Sequence, residues 1–434
     1  MKILVVSQYW DPENGVPQRR WAWFSKILQD AGHEITVVTP PPHYLRDVSL
    51  HQWWRERGFE AAPQPEVGRS GERIIRSGFF PGGQSITQKA LNQAAVALGA
   101  LHAVLRPTGP LKGYTPDLVV GTVPAIPTAF VAQIAAKRYR VPYMIDLRDA
   151  WPELLSVSGS WNAGTGPPSL RQRLLSHGPL QVVSFITGRG LNRVLKHAAL
   201  VMVTSRYLEL DLCERFAGEA VAGQRKAVTV RNVFPPQTVV TKHPDLNGGS
   251  AVLNVLYAGT LGRAQNLHNA LKAAALARDH GLTVYLRLVG AGAAKKQLIR
   301  AAEELGVAAQ FENRRSADSL AEHYQWADTA LVHLTDWGPL THAVPSKTYE
   351  IMSQRLHISG VVAGETAELI TELAAGDVVA PEDPAALAQL WLELSQDRSR
   401  LAIGTRAAQW IENERQHVAP KVLLECVEKV GGTA

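Results

Sequence analysis

Short runs of apolar residues alternate with longer mixed stretches along the first half of the chain. The runs are continuously apolar, as expected for strands of a parallel sheet that is covered on both faces. They fall at residues 3–7, 35–39, 73–76, 118–121, 143–147, 200–204 and 228–230. The longer stretches between them favour helices, so the pattern predicts repeated βα units with helices on both sides of the sheet.

The pattern breaks at residues 231–250, which are rich in proline, glycine, asparagine and aspartate and are typical of a linker. A second series of apolar runs follows at residues 252–257, 284–289, 309–312, 329–334, 358–362 and 378–380. We therefore predict an α/β protein with two doubly wound parallel-sheet domains, at residues 1–230 and 251–398, that face a cleft. Residues 399–434 are expected to form a C-terminal helical tail that packs back on the first domain.

Composition narrows the class of protein. With 434 residues, 46% of them hydrophobic and 19% charged, the chain has the make-up of an ordinary two-domain globular protein. The net charge of +6 is scattered, without an aromatic-interleaved basic motif, so we expect no nucleic-acid partner. Cys213 and Cys426 have no metal-ligand spacing, which favours a reducing compartment. No apolar run reaches the roughly 18 residues of a membrane span, so we expect a cytoplasmic location.

Residues 345–350 (PSKTYE) carry the most informative motif. Ser346 is predicted to cap a helix that holds Glu350 near its start. The free backbone N–H groups and the dipole at such a helix start favour an anion, and a carboxylate one turn further in can hold sugar hydroxyls. The motif therefore indicates a nucleotide-sugar site. The alternative is a capped surface helix with Lys347 and Glu350 paired at i,i+3.

Two glycine turns follow strands of the second series. In residues 257–266 (YAGTLGRAQN), Gly259 and Gly262 let the backbone approach a phosphate, and Arg263 supplies positive charge. In residues 288–292 (LVGAG), Gly290 opens a second turn into a helix. Neither turn has the G-x-G-x-x-G fingerprint, so ordinary NAD binding is not indicated.

Two polar loops follow strands of the first series. Residues 11–20 (DPENGVPQRR) combine a flexible turn with a basic helix start, which suits an anionic ligand, unless the arginines are merely solvated. Residues 146–153 (DLRDAWPE) place two carboxylates and an arginine at the end of a buried strand. Such charges are costly to bury unless they bind a ligand or pair with one another. The second alternative is a cluster in which the arginine and the aspartates pair with one another and bind no ligand.

The order and spacing of YAGTLG, LVGAG, FEN, VPSKTYEIMS and GE resemble the retaining glycosyltransferases of family 4, which have the two-domain GT-B fold. The segments QYWDPENGVPQRR and DLRDAWPE resemble acceptor-side loops of the same family. The resemblance covers nearly the whole chain. It is strongest to the branch that builds bacterial surface polysaccharides with amino or deoxy sugars.

The resemblance implies roles for particular residues. Glu350 matches the glutamate that binds the nucleotide ribose, whereas the glutamate that touches the donor sugar is replaced by His342. The arginine and lysine that hold the diphosphate fall on Thr260 and Gln265. The predicted donor-binding set is Gly15, Gly259, Thr260, Gly262, Arg263, Gln265, Gly290, Asn313, Arg314, His342, Pro345, Ser346, Lys347 and Glu350.

Arg263 and Lys347 are the nearby cations that replace the missing pair at the diphosphate, and with Asp149 they form the predicted catalytic set. The family's acceptor-domain His–Asp pair falls on Arg148 and Asp149, so the histidine is absent. Gly15 matches the loop that closes over the donor phosphates. The predicted acceptor-side set is Arg19, Asp146, Arg148 and Asp149.

The resemblance implies retaining transfer of a sugar from a nucleoside diphosphate donor, most simply a uridine one, to an acceptor hydroxyl in cell-envelope glycan assembly. The acceptor is a glycan, a lipid-linked sugar or a small molecule, and the enzyme contacts the inner face of the plasma membrane peripherally. Because the chain has no Asp-x-Asp motif, we expect no metal and no cofactor. Two alternatives are a sugar-nucleotide epimerase of GT-B fold and a catalytically weak subunit that binds nucleotide sugar.

Overall fold

The computed structural model describes residues 1–62, 64–81, 86–106, 108–156, 179–219, 225–236, 240, 249–313 and 317–432. The chain divides into two compact units. The first unit contains Met1–Pro152, Phe185–Phe234 and His417–Ala434, and the second contains Glu153–Ser184 and Pro235–Gln416. The predicted domain bounds remain predictions.

The first unit is built on an eight-stranded sheet with the strand order β3-β4-β2-β1-β5-β6-β7-β8. Its strands are β1 (Lys2–Val6), β2 (Glu34–Thr39), β3 (Glu66–Val67), β4 (Arg73–Arg76), β5 (Leu118–Val123), β6 (Tyr143–Leu147), β7 (Leu200–Val203) and β8 (Ala227–Thr229). Neighbouring strands are parallel, except that the short edge strand β3 runs antiparallel to β4. Strand β3 was not predicted, because two exposed residues carry no apolar signal.

The centre of this sheet is buried on both faces, as its continuous apolar runs predict. In β1, Ile3, Leu4, Val5 and Val6 have no exposed surface. Since successive side chains of a strand point to opposite faces, helices must cover both sides. The helices of the first half are Val16–Asp30, Leu50–Arg55, Ile86–Leu105, Pro127–Tyr139, Glu153–Ser156, Pro179–His197 and Arg206–Arg215, with 3-10 turns at His43–Arg46 and Ala217–Glu219.

The second unit is built on a six-stranded parallel sheet with the strand order β11-β10-β9-β12-β13-β14. Its strands are β9 (Val252–Ala258), β10 (Thr283–Val289), β11 (Ala309–Glu312), β12 (Thr329–His333), β13 (His357–Val361) and β14 (Gly376–Val379). Its helices are His268–Asp279, Lys295–Leu305, Ala317–Trp326, Ser346–Ser353, Glu365–Glu372, Pro384–Gln396 and Arg406–Asn413, with 3-10 turns at Gly338–His342 and Arg398–Leu401.

The tail of the chain is helical. A π-helical turn at Glu414–Val418 follows Arg406–Asn413, and the last helix is Ala419–Gly431. This last helix belongs to the first unit, where it contacts Val16–Asp30 and β5. Its buried stripe includes Leu423 and Val427, one turn apart, so the contact is hydrophobic.

The predicted fold class is confirmed: each unit is a parallel α/β sheet, and the tail is helical. Every predicted strand coincides with an observed strand, with ends that differ by at most one or two residues. Within the part of the chain that the structure describes, no helix has both the length and the apolar character needed to cross a bilayer.

Candidate functional site

The carboxylate of Glu350 is the most tightly held polar group at the predicted donor site. Glu350 is only 7% exposed. The hydroxyl of Tyr324 donates to its Oε1 at 3.0 Å, and Nζ of Lys347 donates to its Oε2 at 3.0 Å. The group is therefore fixed in orientation before any ligand arrives.

Lys347 and Glu350 thus form the i,i+3 pair that the alternative interpretation of this motif predicted. The pair does not lie on an open surface, because the Glu350 side chain is 6% exposed and that of Lys347 31% exposed. A buried carboxylate that is ion-paired and hydrogen-bonded is a feature of a built site as well as of a structural one.

The predicted cap by Ser346 is wrong. The helix begins at Ser346 itself, Pro345 occupies the cap position, and no side chain caps the helix start. The carbonyl of Pro345 accepts the Thr348 N–H at 2.9 Å. Proline has no side-chain oxygen to accept from the first backbone N–H groups, so those groups, together with the Ser346 hydroxyl and Lys347, suit an anion at this helix start.

The two glycine turns of the second unit are packed directly against each other. A Cβ on Gly290 would lie 1.8 Å from the carbonyl oxygen of Gly259, and one on Gly292 would lie 2.1 Å from that of Leu261. The backbone N–H of Leu261 also bonds to the Ala291 carbonyl at 3.0 Å. Gly290 is therefore required by close backbone packing, and together the turns form one platform at the carboxyl ends of β9 and β10.

Arg263 lies within this platform. Its Nε atom is buried and has no hydrogen-bond partner among the residues that the structure describes. The platform is shaped around it by Tyr257, whose hydroxyl donates to the Thr260 carbonyl at 2.8 Å. A Cβ on Gly262 would lie 2.6 Å from Oε1 of Gln265, so that side chain folds back over the turn. A half-buried arginine with a buried, unmet Nε–H is suited to bind an anion.

Glu382 joins three loops of this region, and sequence reasoning missed it. Its oxygens accept from Nδ2 of Asn266 at 2.6 Å, from Oγ1 of Thr335 at 2.5 Å and from the Asp336 N–H at 3.3 Å. Burial opposes its ionisation, but these hydrogen bonds outweigh burial and lower the pKa of Glu382. The sequence signal that could have identified Glu382 is its position just beyond the carboxyl end of the predicted strand at residues 378–380.

The imidazole of His333 lies below these loops at the end of β12. It is 2% exposed, and its Nε2 is 3.1 Å from Nδ2 of Asn269. Burial lowers the pKa of His333 to about 4, although the charge of Glu382 opposes that shift. The ring is therefore neutral near pH 7 and acts as a hydrogen-bonded part of the core.

His342 ends the 3-10 turn Gly338–His342 and is half-buried. This turn packs against the start of the helix Glu365–Glu372. A Cβ on Gly364 would lie 2.2 Å from the Thr341 carbonyl, and Oγ1 of Thr366 donates to the Ala343 carbonyl at 2.7 Å. The structure thus brings together His342 and the GE segment, which are separate in the sequence.

Asn313 is held by Lys295, whose Nζ donates to its Oδ1 at 2.9 Å and to the Glu312 carbonyl at 2.9 Å. This contact ties the end of β11 to the helix that follows the second glycine turn. Arg314, which was predicted beside Asn313 in the donor site, lies outside the described residues.

In the first unit, Asp146 is part of a buried ion pair. Neither Asp146 nor Arg20 has any exposed surface, and Nη2 of Arg20 lies 2.9 Å from Oδ1 of Asp146. The indole N–H of Trp21 donates to Oδ2 at 2.9 Å, and Nη1 of Arg20 donates to the Val230 carbonyl at 2.8 Å. The structure therefore gives Asp146 a structural role, in place of the predicted acceptor contact, because both its oxygens are occupied and shielded from solvent.

Arg148 and Asp149 differ in their surroundings. Nε and Nη1 of Arg148 are buried, whereas Asp149 as a residue is exposed to solvent. Protein atoms nevertheless crowd Asp149, and this desolvation raises its pKa while the charge of Arg148 opposes the shift. Asp149 is therefore the carboxylate of this loop that a hydroxyl can reach.

Arg19 and Gly15 lie at the start of the helix Val16–Asp30. Gly15 takes the cap position, and its carbonyl accepts the Arg19 N–H at 2.9 Å. The Arg19 guanidinium stacks over the ring of Phe234 at 4.4 Å. Arg19 is half-buried, so the interpretation of this helix start as freely solvated arginines does not describe it.

Two family models match this chain, one over its first part and one over its second. Residues 15–232 match the family model described as a glycosyl transferase 4-like domain, and residues 247–417 match the model described as glycosyl transferases group 1. A relative in Escherichia coli (strain K12), WcaI, is 24% identical to this chain over 389 residues. The match covers 86% of this chain and 85% of WcaI. The name of WcaI assigns it to the glycosyl transferases of colanic acid biosynthesis.

Solved structures share the fold at lower identity. Sucrose-phosphate synthase from Thermosynechococcus elongatus superposes with a TM-score of 0.68 at 14% identity, covering 100% of both chains. Anabaena HepE in complex with UDP-glucose superposes with a TM-score of 0.59 at 16% identity, covering 99% of this chain and 100% of HepE. These structures have two-domain GT-B folds, so the likeness agrees with the two parallel sheets described above.

Proposed function

The chain belongs to the glycosyltransferases that carry the glycosyl transferase 4-like domain, and from that membership we propose a specific reaction. The enzyme transfers a sugar from a nucleoside diphosphate donor, uridine diphosphate first among them, to an acceptor hydroxyl, and it retains the anomeric configuration. The observation that carries this proposal is the buried carboxylate of Glu350, which Tyr324 and Lys347 hold in a fixed orientation.

Glu350 is proposed to accept hydrogen bonds from the ribose hydroxyls of the donor. Its position supports this role, because it lies one turn inside a helix whose uncapped start favours the adjoining phosphates. The choice of uridine is supported by HepE, whose structure holds UDP-glucose. A fixed acceptor needs no reorganisation on binding, which favours affinity.

Arg263 and Lys347 are proposed to stabilise the diphosphate as it leaves. When the bond between the anomeric carbon and the phosphate oxygen breaks, negative charge develops on the diphosphate, and fixed cations lower the energy of that state. The acceptor oxygen forms its bond to the anomeric carbon on the face that the phosphate leaves. The acceptor proton passes to an oxygen of the departing diphosphate, so no strong protein base is required.

Asp149 is proposed to orient the acceptor hydroxyl, because it is the exposed carboxylate of its loop. The remaining acceptor-side residues then have supporting roles. Arg19 is stacked on Phe234, and Asp146 holds the strand β6 to the helix Val16–Asp30 through Arg20. Asp149→Asn should therefore lower turnover while leaving nucleotide affinity near the wild-type value.

The same proposal places the reaction in cell-envelope polysaccharide assembly on the cytoplasmic side of the membrane. The colanic acid assignment of WcaI supports this place. His342, in the position of a sugar-binding glutamate, is proposed to favour an N-acetylated or deoxy sugar, since an imidazole can donate a hydrogen bond where a carboxylate only accepts. Comparing donor preference of the wild type with that of His342→Glu tests this; an unchanged preference removes His342 from the donor site.

The reaction is tested by incubating the full chain with a panel of uridine diphosphate sugars and following the products by NMR. Slow release of uridine diphosphate and free sugar shows transfer to water in place of the acceptor, and the configuration of the glycoside formed with an added alcohol acceptor tests retention. An inverted product contradicts retention, and a new sugar nucleotide identifies an epimerase. Binding without turnover identifies a binding subunit. Activity should survive a chelator, and loss of activity that magnesium restores would overturn the metal-free mechanism.

A further inference from the structure

One edge of the first sheet carries two arginines, the buried Arg46 and the half-buried Arg148. Arg46 ends the 3-10 turn that follows β2, and Arg148 directly follows β6. Both strands belong to the parallel core with the order β2-β1-β5-β6, so their carboxyl ends share one edge. Arg46 is 3% exposed. A buried charged guanidinium is costly unless its N–H groups are hydrogen-bonded or it pairs with an anion.

These arginines are incompletely bonded. Nη1 of Arg46 donates to Oδ1 of Asn92 at 3.1 Å. In contrast, Nε of Arg46 and both Nε and Nη1 of Arg148 are buried without a hydrogen-bond partner among the described residues. Burial lowers the pKa of each arginine. Three buried N–H groups of these cationic side chains are therefore available to a hydrogen-bond acceptor on a ligand.

Tyr9 connects the two arginines. It follows β1, the strand next to β2, and is half-buried. Burial raises the pKa of its hydroxyl, whereas the charges of Arg46 and Arg148 and a hydrogen bond with Gln93 lower it. Tyr9, Arg46 and Arg148 follow strands β1, β2 and β6 of one sheet, so all three lie at the same edge.

Two of the three neighbouring carboxylates, those of Glu13 and Asp146, are hydrogen-bonded elsewhere, whereas the charge of the third, Asp149, raises the pKa of Arg148. Oε2 of Glu13 accepts from Nε2 of Gln18 at 3.2 Å, and its Oε1 accepts the His43 N–H at 2.7 Å. Asp146 is bound by Arg20, whose own positive charge lowers the pKa of Arg148 further. The unmet N–H groups of Arg46 and Arg148, rather than a net positive charge, therefore favour an added anion.

We propose that Arg46 and Arg148 form a binding site for an anionic group on the acceptor, either a phosphate or a carboxylate. This inference rests on the proposed function, since it assigns the first unit an acceptor that carries negative charge. The planar fork of each guanidinium matches the oxygens of either anion. Arg148 would orient that anion next to Asp149, the residue proposed to face the reacting hydroxyl.

The test is isothermal titration of the full chain with inorganic phosphate and, separately, with D-glucuronate. Saturating uridine diphosphate is present, so that the donor's own phosphate site is filled. We expect the wild type to bind one of these anions, and Arg46→Gln and Arg148→Gln to weaken that binding at least tenfold. The control is Arg55→Gln, which removes an arginine whose side chain is 71% exposed, and it should bind as the wild type does.

The outcomes separate the ligand sources and the two proposals. Phosphate binding alone indicates a phosphorylated acceptor, and glucuronate binding alone indicates an acidic sugar. Binding of neither anion, or equal binding by the wild type and both glutamine variants, overturns the site. If the wild type does not bind uridine diphosphate, the donor proposal fails, while titration without the nucleotide still decides the anion site. If a glutamine variant does not fold, Arg46→Lys and Arg148→Lys replace it. Lysine keeps the positive charge but lacks the planar pair of N–H donors of a guanidinium group. Unchanged anion affinity in both lysine variants also overturns the site.

Discussion

Lys347 and Glu350 form a 3.0 Å ion pair one turn apart in the helix Ser346–Ser353. The second oxygen of Glu350 accepts from the buried hydroxyl of Tyr324, which lies on another helix. The carboxylate is therefore oriented by two elements of the second unit. This geometry links packing to binding, because a change at Tyr324 alters the direction of a group proposed to hold the ribose.

Tyr324→Phe should weaken uridine diphosphate binding by about 1 kcal/mol, as for one lost hydrogen bond. The aromatic ring is kept, so packing is preserved and the unfolding temperature should fall only slightly. The control is Tyr285→Phe, since Tyr285 is 47% exposed. Isothermal titration checks the result; equal affinity in both variants would mean that Tyr324 does not position Glu350.

Gly290→Ala should destabilise the second unit by about 1–3 kcal/mol, because the added Cβ would lie 1.8 Å from the Gly259 carbonyl oxygen. The same displacement would move the first glycine turn and reduce nucleotide affinity. Gly338→Ala is the matched control, since a Cβ at Gly338 meets nothing within 4 Å. Urea unfolding of the two variants measures the difference, and equal stabilities would refute the close packing of the turns.

Arg20→Met should destabilise the first unit by about 3–5 kcal/mol, because it leaves the buried carboxylate of Asp146 without its cation. The exposed pair of Lys26 and Asp30 gives the control: their side chains are 71% and 65% exposed, so Lys26→Met should change stability by less than about 1 kcal/mol. Denaturant unfolding of the two variants measures the difference. Similar losses for the two variants would show that burial does not strengthen the Arg20–Asp146 pair.

The pH dependence of stability should include His333. Burial lowers the pKa of this histidine to about 4 in the folded protein, from an ordinary value of 6.5. Between these values the unfolded chain binds the proton more readily, so the contribution of His333 is fully present above pH 6.5 and is lost as pH falls towards 4. His333→Gln should flatten this part of the curve. Unfolding free energies at several pH values, compared between the wild type and the variant, provide the check.

Much of the fold could be predicted from the sequence, because continuous apolar runs such as residues 143–147 mark strands buried on both faces. The edge strand β3 has only exposed residues and gave no such signal. The cap at Ser346 was wrong because Pro345 already holds the cap position. A propensity for capping does not determine where the backbone first turns.

The site was predicted less completely than the fold, since its contacts join residues that are distant in sequence. Glu350 was recognised from its helix, but its partner Tyr324 was not, because an apolar helical pattern hides one buried hydroxyl. Asp146 was recognised as a charge that needs a partner, yet its partner Arg20 lies 126 positions away in the sequence. Only the three-dimensional packing distinguishes a carboxylate that is already paired from one that is available to a ligand.

If Glu350 binds the ribose of a nucleoside diphosphate donor, its removal should weaken the binding of uridine diphosphate, and titration of this nucleotide into Glu350→Ala measures that loss. We expect binding to weaken by about 1.5–3 kcal/mol relative to the wild type, as for lost hydrogen bonds to a charged group. Glu303→Ala, which removes an exposed glutamate from the helix Lys295–Leu305, should bind as the wild type does. Uridine diphosphate affinity equal to the wild type in a folded Glu350→Ala protein would contradict the account.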